Sequence, residues 1–383
     1  RPGIVMNYRF AGRMKRVPES FLGELFRVSA VPGVISFAGG LPASDCIDVD
    51  GIAEAARQVF AEEGRTALQY STTDGYLPLR EFIADRYRRR LGLPAAADEI
   101  QIVNGSQQSL DLAAKIFIDP GDAVGMERPG YLGAIEAFSF YEPVFHAVPM
   151  EEDGPDLAVF ESVIRDNAPR LFYGIPNSQN PSGTTYSDRK RRAVAEILEG
   201  SETVFYEDDA FGELFFDGRP RMPVKRYIPE QTLISGSFSK IIAPGMRIGW
   251  IYAPAPILRE FNLAKQAADL HSNFLCQAIL SRYLRTHDLE WPRPKGCSGL
   301  RRALPADVRP PRRPDAGGDD AHQTGGRDVP DRRPASWRLL HGGLPRGGAG
   351  GCCGSAGGAV LRRRRRERDD TAELLGGGSG RDR

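Results

Sequence analysis

Up to about residue 290, apolar and polar positions alternate in blocks whose period changes in step along the chain. Short apolar runs bounded by glycine or polar residues read as buried strands at 34–37, 100–103, 122–126, 170–175, 203–207 and 232–234. Between them, apolar residues recur every three or four positions, the spacing of one helix face. This predicts an N-terminal arm and helix over 7–30, with Phe21, Leu22, Leu25, Phe26 and Val28 near its apolar face. A helix over 50–64 comes next, capped by Asp50, with Ile52, Ala55, Val59 and Phe60 turned inward. Pro78 starts another helix, and the spacing predicts more at 188–199, 256–270 and 274–286. Strands alternating with helices from 100 to 255 predict an α/β fold, a mostly parallel sheet with helices on both faces. In such sheets ligands gather beyond the C-terminal ends of the strands, so the polar residues just after each strand are the first functional candidates.

The same pattern stops abruptly. All 19 Phe and 12 Tyr precede Trp291, and residues 291–383 also lack Ile, Met and Asn. This stretch is dominated by Arg, Gly, Pro and Asp, including a run from Arg362 to Arg366, a composition that by itself reads as disordered tail. Three segments therefore suggest themselves: 1–45 as arm and small-domain segment, 46–290 as a large ligand-binding domain, and 291–383 as an aberrant tail.

Composition removes several classes of function. Net charge is +1, so no overall field points to nucleic acid, and the arginine run at 362–366 has no interleaved aromatics. No apolar run approaches a membrane span, no signal peptide opens the chain, and the expected location is cytoplasmic. Five cysteines and five histidines lie scattered without metal-ligand spacing, so no metal site is expected.

Candidate chemistry concentrates in five strings. After the strand at 232–234, a Ser/Gly segment presents Lys240, and a Pro-Gly turn brings Arg247 back seven residues later. A lysine is a nucleophile only when its ammonium is partly deprotonated, which desolvation or a nearby cation achieves. Arg247 supplies such a cation and, with Ser237, donors for a phosphate. Alone, Ser-x-x-Lys is better read as a loop lysine in solvent. After the strand at 100–103, Asn104-Gly105-Ser106-Gln107 turns into a helix whose free N–H groups make an anion site, unless Ser106 is only an N-cap. Tyr131 opens a helix after the strand at 122–126, where a packed core aromatic would also fit. The segment 176–183 ends a strand in Asn180-Pro181-Ser182-Gly183, in itself merely a good turn. Asp208 and Asp209 end the strand at 203–207, and adjacent carboxylates could be a metal pair, but no histidine or third carboxylate joins them.

Taken together in their order along the chain, the strings resemble the class I and II aminotransferases of pyridoxal-phosphate fold type I, closest to the 2-aminoadipate-type branch, over roughly 7–290. The resemblance implies that fold, with a smaller domain formed from the termini. It also implies pyridoxal 5'-phosphate held as a Schiff base on Lys240, with Asp208 on the pyridine nitrogen and Asn180 on the phenolic oxygen. Tyr131 would lie against the ring, and Ser106, Gln107, Ser237 and Arg247 would surround the phosphate. Gly39 and Gly40, with Asn180, would border the substrate carboxylate. Tyr70, in the tyrosine string 68–80, would reach the neighbouring site of a homodimer. The implied reaction is transamination of an L-amino acid with a 2-oxo acid, 2-oxoglutarate by family habit. A fold-type I lyase or decarboxylase would use the same lysine, and a cofactor-sensing regulator would share the same domain.

Two departures from the family pattern stand out. Phe211 occupies the place of the usual Tyr, which removes a hydrogen bond to the cofactor and should raise the pKa of the Lys240 linkage. Gly23 stands where members acting on acidic substrates can carry arginine, which weakens a strict 2-aminoadipate assignment. Residues 351–355 and 360–373 also back-translate so that an adjacent frame gives peptides resembling the end of the family's small domain, with its carboxylate-gripping arginine. The tail thus reads as a shifted frame, and an inactive cofactor-binding product stands as the alternative to a working transaminase. Unambiguous base count around codons 285–296 would defeat that reading.

Overall fold

The computed structural model describes residues 7–15, 17, 23, 27, 40, 42, 44–214 and 220–287. The expected N-terminal helix face, Gly39 and the whole of 291–383 lie outside the described residues.

Eight strands form one sheet: β1 (Ile100–Val103), β2 (Ala123–Arg128), β3 (Val144–Glu151), β4 (Gly154–Pro155), β5 (Leu171–Gly174), β6 (Val204–Asp208), β7 (Thr232–Ser237) and β8 (Gly249–Tyr252). Their order is β1-β8-β7-β6-β5-β2-β3-β4. The inner pairs β7–β6, β6–β5, β5–β2 and β2–β3 are parallel. The pairs β1–β8, β8–β7 and β3–β4 are antiparallel. The expected strands at 100–103, 122–126, 170–175, 203–207 and 232–234 are all present, within a residue or two at most ends; the expected strand at 34–37 lies outside the described residues. β8 was not expected. It returns antiparallel to β7 with only a 3₁₀ turn, Pro244–Met246, in the connection, so no helical crossover announces it.

Eight helices of eight or more residues are described: α1 (Val49–Ala67), α2 (Leu77–Leu91), α3 (Gly105–Phe117), α4 (Leu132–Ser139), α5 (Leu157–Asn167), α6 (Asp188–Leu198), α7 (Ala255–Ala268) and α8 (Phe274–Thr286). They cover both faces, as the alternation along the strands requires. Leu171, Tyr173, Tyr206, Leu233 and Ile251 face a core shared with α3, α4 and α7. Phe172 and Phe205, one residue out of phase, pack against α5 and α6. Ile100, Ile102, Ile234, Trp250 and Tyr252 point to the same side as those two and meet α2 and α8. The fold is therefore the mixed α/β architecture expected.

Two local expectations needed correction. The cap of α1 is Asp48, whose side chain accepts from the Gly51 N–H at 2.9 Å; Asp50 lies inside the first turn. Glu63 breaks the helix, with φ −137°, close to where it was expected to end, and one more turn runs on to Ala67. Ala55 and Val59 are buried as predicted, but Phe60 is 52% exposed. Among the described residues no helix is long and apolar enough to cross a membrane, and no three side chains are grouped to hold a metal ion.

Candidate active site

The ends of β1, β5, β6 and β7 bring most of the predicted residues to one rim of the sheet. β6 delivers Asp208 as its last residue, 4% exposed. Tyr173, on the adjacent β5, donates its hydroxyl to Asp208 Oδ2 at 2.7 Å, and the Ala210 N–H donates to Oδ1 at 3.2 Å. Burial raises the pKa of Asp208, while these two donors and the charge of Lys240 pull it back. The result is a buried carboxyl with a fixed orientation.

β7 runs through Ser237 into the loop that carries Lys240. Lys240 is half-buried, and its ammonium donates to the Gly40 carbonyl at 2.9 Å. Its pKa is lowered, first by desolvation and then by the charge of Arg247, with Asp208 opposing. That is the environment an amine nucleophile needs. The Phe211 ring centroid stands 5.6 Å from Lys240 Nζ, so the face next to the ammonium is aromatic and carries no hydroxyl.

Arg247 adopts left-handed backbone geometry, φ 55°, at the end of the Pro244–Met246 turn. Its guanidinium lies across the start of α3. The Asn104 carbonyl accepts from Nη2 at 3.4 Å, and a Cβ on Gly105 would stand 2.4 Å from Nη2. Gly105 has φ +70° and leaves room for both the turn and the arginine. Behind it a Cβ on Gly249 would meet the Gly105 carbonyl carbon and the Ser106 nitrogen, both at 3.0 Å. Close packing of β8 against the first turn of α3 thus sets a cation beside a row of helix N–H groups. Asn104, not Ser106, is the cap residue; Ser106 and Gln107 lie in the first turn. Gln107 Nε2 donates to the Gly133 carbonyl at 3.0 Å, joining this turn to α4.

Tyr131 precedes α4, and its ring lies along Gly133: a Cβ there would come within 2.7 Å of the hydroxyl. Burial and the charge of Asp208 push the Tyr131 phenol up to about 12. Asn180 is half-buried in the turn after β5. Ser237 lies opposite Gly249 in the sheet, and its Oγ accepts from the Ser239 N–H at 3.1 Å. Tyr70 is not brought to the rim. It is 78% exposed, with its ring against His271 at 5.8 Å.

Sequence reasoning missed the layer beneath these residues. Tyr173 reads as a core position because it alternates with buried Phe172. Ser109 hydrogen-bonds Ser235 at 2.6 Å and also the Tyr206 hydroxyl, tying α3 to β6 and β7. Asp209, passed over beside Asp208, accepts from Asn177 Nδ2 at 2.6 Å. Asn177 in turn accepts from the buried Arg191 at 2.8 Å. Glu127, at the end of β2, is buried and accepts from the Ile175 N–H and from Gln179 Nε2, each at 2.9 Å, and from the Tyr186 hydroxyl. Burial pushes its carboxyl up to about 7.

Known proteins resemble this chain over the same region. The model of the family described as aminotransferase class I and II matches residues 33–287. A 2-aminoadipate transaminase of Thermus thermophilus is 39% identical over 275 residues, 70% of this chain and 68% of that protein. An aromatic-amino-acid aminotransferase of Thermococcus litoralis is 36% identical over 292 residues, 75% of this chain and 70% of that protein. Among solved structures, LysN, the alpha-aminoadipate aminotransferase from Thermus thermophilus in complex with N-(5'-phosphopyridoxyl)-L-leucine, superposes with a TM-score of 0.66. It is 38% identical, and the match covers 72% of this chain and 69% of that one.

Proposed function

The chain belongs to the class I and II aminotransferases, a pyridoxal-phosphate-dependent family, and on that premise we propose that it transfers amino groups between an L-amino acid and a 2-oxo acid through Lys240. The observation that carries the reading is the half-buried Lys240 ammonium, its proton affinity lowered by desolvation and Arg247, on the same rim as the buried Asp208. 2-Oxoglutarate is the proposed acceptor, and the relatives acting on 2-aminoadipate and on aromatic amino acids mark the range of donors to assay first. Homodimerisation and a cytoplasmic location belong to the same proposal.

The donor set fits the cofactor. A guanidinium at a helix N-terminus matches a phosphate dianion, which is the role of Arg247 with the first turn of α3, Ser106 and Gln107, and of Ser237 across the sheet. A buried carboxylate held by Tyr173 matches a ring N–H, which is the role of Asp208. Tyr131 offers a ring face and Asn180 an amide to the ring oxygen. When bound, pyridoxal phosphate supplies an aldehyde that links covalently to amines and a ring that accepts electrons from the substrate Cα.

The protein's own part is proton handling and orientation. With the cofactor bound, the negative charge of Asp208 would keep a proton on the ring nitrogen. The Lys240 amine would then move a proton between the substrate Cα and the cofactor's aldehyde carbon. A positioned base of this kind contributes about 10²–10⁴-fold in rate. Gly40, whose carbonyl accepts from Lys240, borders the space for the substrate carboxylate, and Gly39 is proposed beside it.

Borohydride reduction of the reconstituted protein, followed by peptide mass spectrometry, tests the assignment. A phosphopyridoxyl mass on the peptide containing Lys240, absent in Lys240→Ala, is the expected result. A label on another lysine, such as the buried Lys225 or Lys265, would overturn it.

A further inference from the structure

The candidate cofactor contacts Tyr131 and Asn180 come from different strands, so something must fix the turn after β5 against the loop after β2. Glu127 and Gln179 do this. Gln179 is 1% exposed and immediately precedes Asn180. Its Nε2 donates to Glu127 Oε2 at 2.9 Å and to the Pro129 carbonyl at 2.7 Å, both in the segment that leads to Tyr131. Its Oε1 accepts from the Ser182 N–H at 2.7 Å, across Asn180. The Gln179 backbone closes the same turn, its N–H donating to the Thr184 carbonyl at 2.8 Å and its carbonyl accepting from the Gly183 N–H. Both amide hydrogens and the amide oxygen are therefore committed, and the amide cannot rotate without breaking three bonds.

We infer that Glu127 and Gln179 are positioning residues that latch the Asn180 turn to the Tyr131 loop, so that these two side chains meet the cofactor ring from fixed directions. The inference rests on the proposed roles of Asn180 and Tyr131 as cofactor contacts. A buried carboxyl is a costly way to hold two loops: apolar side chains of the same volume often stabilise a protein as well or better. Apolar packing leaves rotation about a turn poorly defined, however, whereas a fully satisfied polar network specifies one arrangement. Glu127 is 1% exposed and so offers no free surface to a substrate. Its oxygens are taken by the Ile175 N–H, the Tyr186 hydroxyl and Gln179.

Glu127→Gln separates the latch from the rest of the network. The new amide oxygen still accepts from Ile175 and Tyr186, but its NH₂ then opposes the NH₂ of Gln179. Turning the Gln179 amide to relieve this would strand the Ser182 N–H and the Pro129 carbonyl. Full-length wild type, Glu127→Gln, Gln179→Ala and Asn180→Ala are reconstituted with pyridoxal 5'-phosphate below their melting temperatures. The cofactor dissociation constant and the visible circular dichroism of the bound chromophore are then recorded.

Glu127→Gln and Gln179→Ala should each weaken cofactor binding about tenfold or more and change the dichroism in the direction of Asn180→Ala. If both bind with wild-type affinity and an unchanged spectrum, differing only in melting temperature, the pair is merely structural and the inference is wrong. If Asn180→Ala is itself without effect while wild type binds, the cofactor assignment of Asn180 fails first, and the latch fails with it.

Discussion

At the scale of single residues, two positions around the proposed phosphate and lysine sites give sharp expectations. Gly105 combines φ +70° with an arginine nitrogen 2.4 Å from where a Cβ would stand. Gly105→Ala should cost about 1–3 kcal/mol in backbone strain alone and push Arg247 off the first turn of α3. Cofactor affinity measured by equilibrium dialysis should fall by about tenfold or more, and a wild-type value would show that Arg247 does not serve the phosphate. Phe211 concerns proton affinity instead. Its ring faces the Lys240 ammonium at 5.6 Å and offers no donor. A hydroxyl there would favour the deprotonated form of the lysine linkage by donating to the cofactor oxygen. Phe211→Tyr should therefore lower the pH at which the bound chromophore titrates, by roughly one unit for each 1.4 kcal/mol of hydrogen-bond stabilisation. An upward shift in the absorbance titration, or none, would remove Phe211 from the site.

At the scale of elements, the end of β6 carries a pH-dependent load. Asp209 is pushed up to about 8, by burial first and then by the charge of Glu207, with Glu213 adding to it; the hydrogen bond from Asn177 and the charge of Arg191 oppose. A carboxyl whose proton affinity is raised in the folded state stabilises the fold at low pH, and that contribution is lost as pH rises from about 4 to about 8. Asp209→Asn keeps an oxygen for Asn177 and removes the titration, so its melting temperature relative to wild type should rise between pH 5 and pH 8. A constant difference would mean that Asp209 is ionised throughout. The elements themselves were largely legible in the sequence, since the strands that build the rim are short apolar runs ended by polar residues. β8 was not, because an antiparallel return needs no helix to signal it. The second layer was not either: Tyr173, Ser109 and Tyr206 carry core or helix spacing, and only the sheet register shows that their polar atoms converge. Phe60 was assigned inward from helical spacing, which gives a face but not what covers it.

At the scale of the whole molecule, Tyr70 is the residue that one chain leaves unexplained. It stands 78% exposed beside other exposed apolar side chains on the same two segments: Leu68 and Leu77 near it in sequence, Leu263 and Leu270 on and after α7. The segments are joined by the Tyr70–His271 ring contact and by a hydrogen bond from Asn262 to Asp74. Exposed apolar side chains on two joined segments are what the proposed contact with another chain would cover. If that chain is a second copy, two-fold symmetry makes the exchange reciprocal, and each Tyr70 serves the other subunit's Lys240. Lys240→Ala and Tyr70→Ala should then complement. In a mixed dimer one site has neither residue, whereas the other takes Lys240 from one chain and Tyr70 from the other and is intact. Random reassortment of two inactive variants should restore about a quarter of wild-type transamination, because half the dimers are mixed and half their sites are whole. Activity that stays at the level of the separate variants, in a mixture shown by native mass spectrometry to contain mixed dimers, would place Tyr70 outside the partner's site.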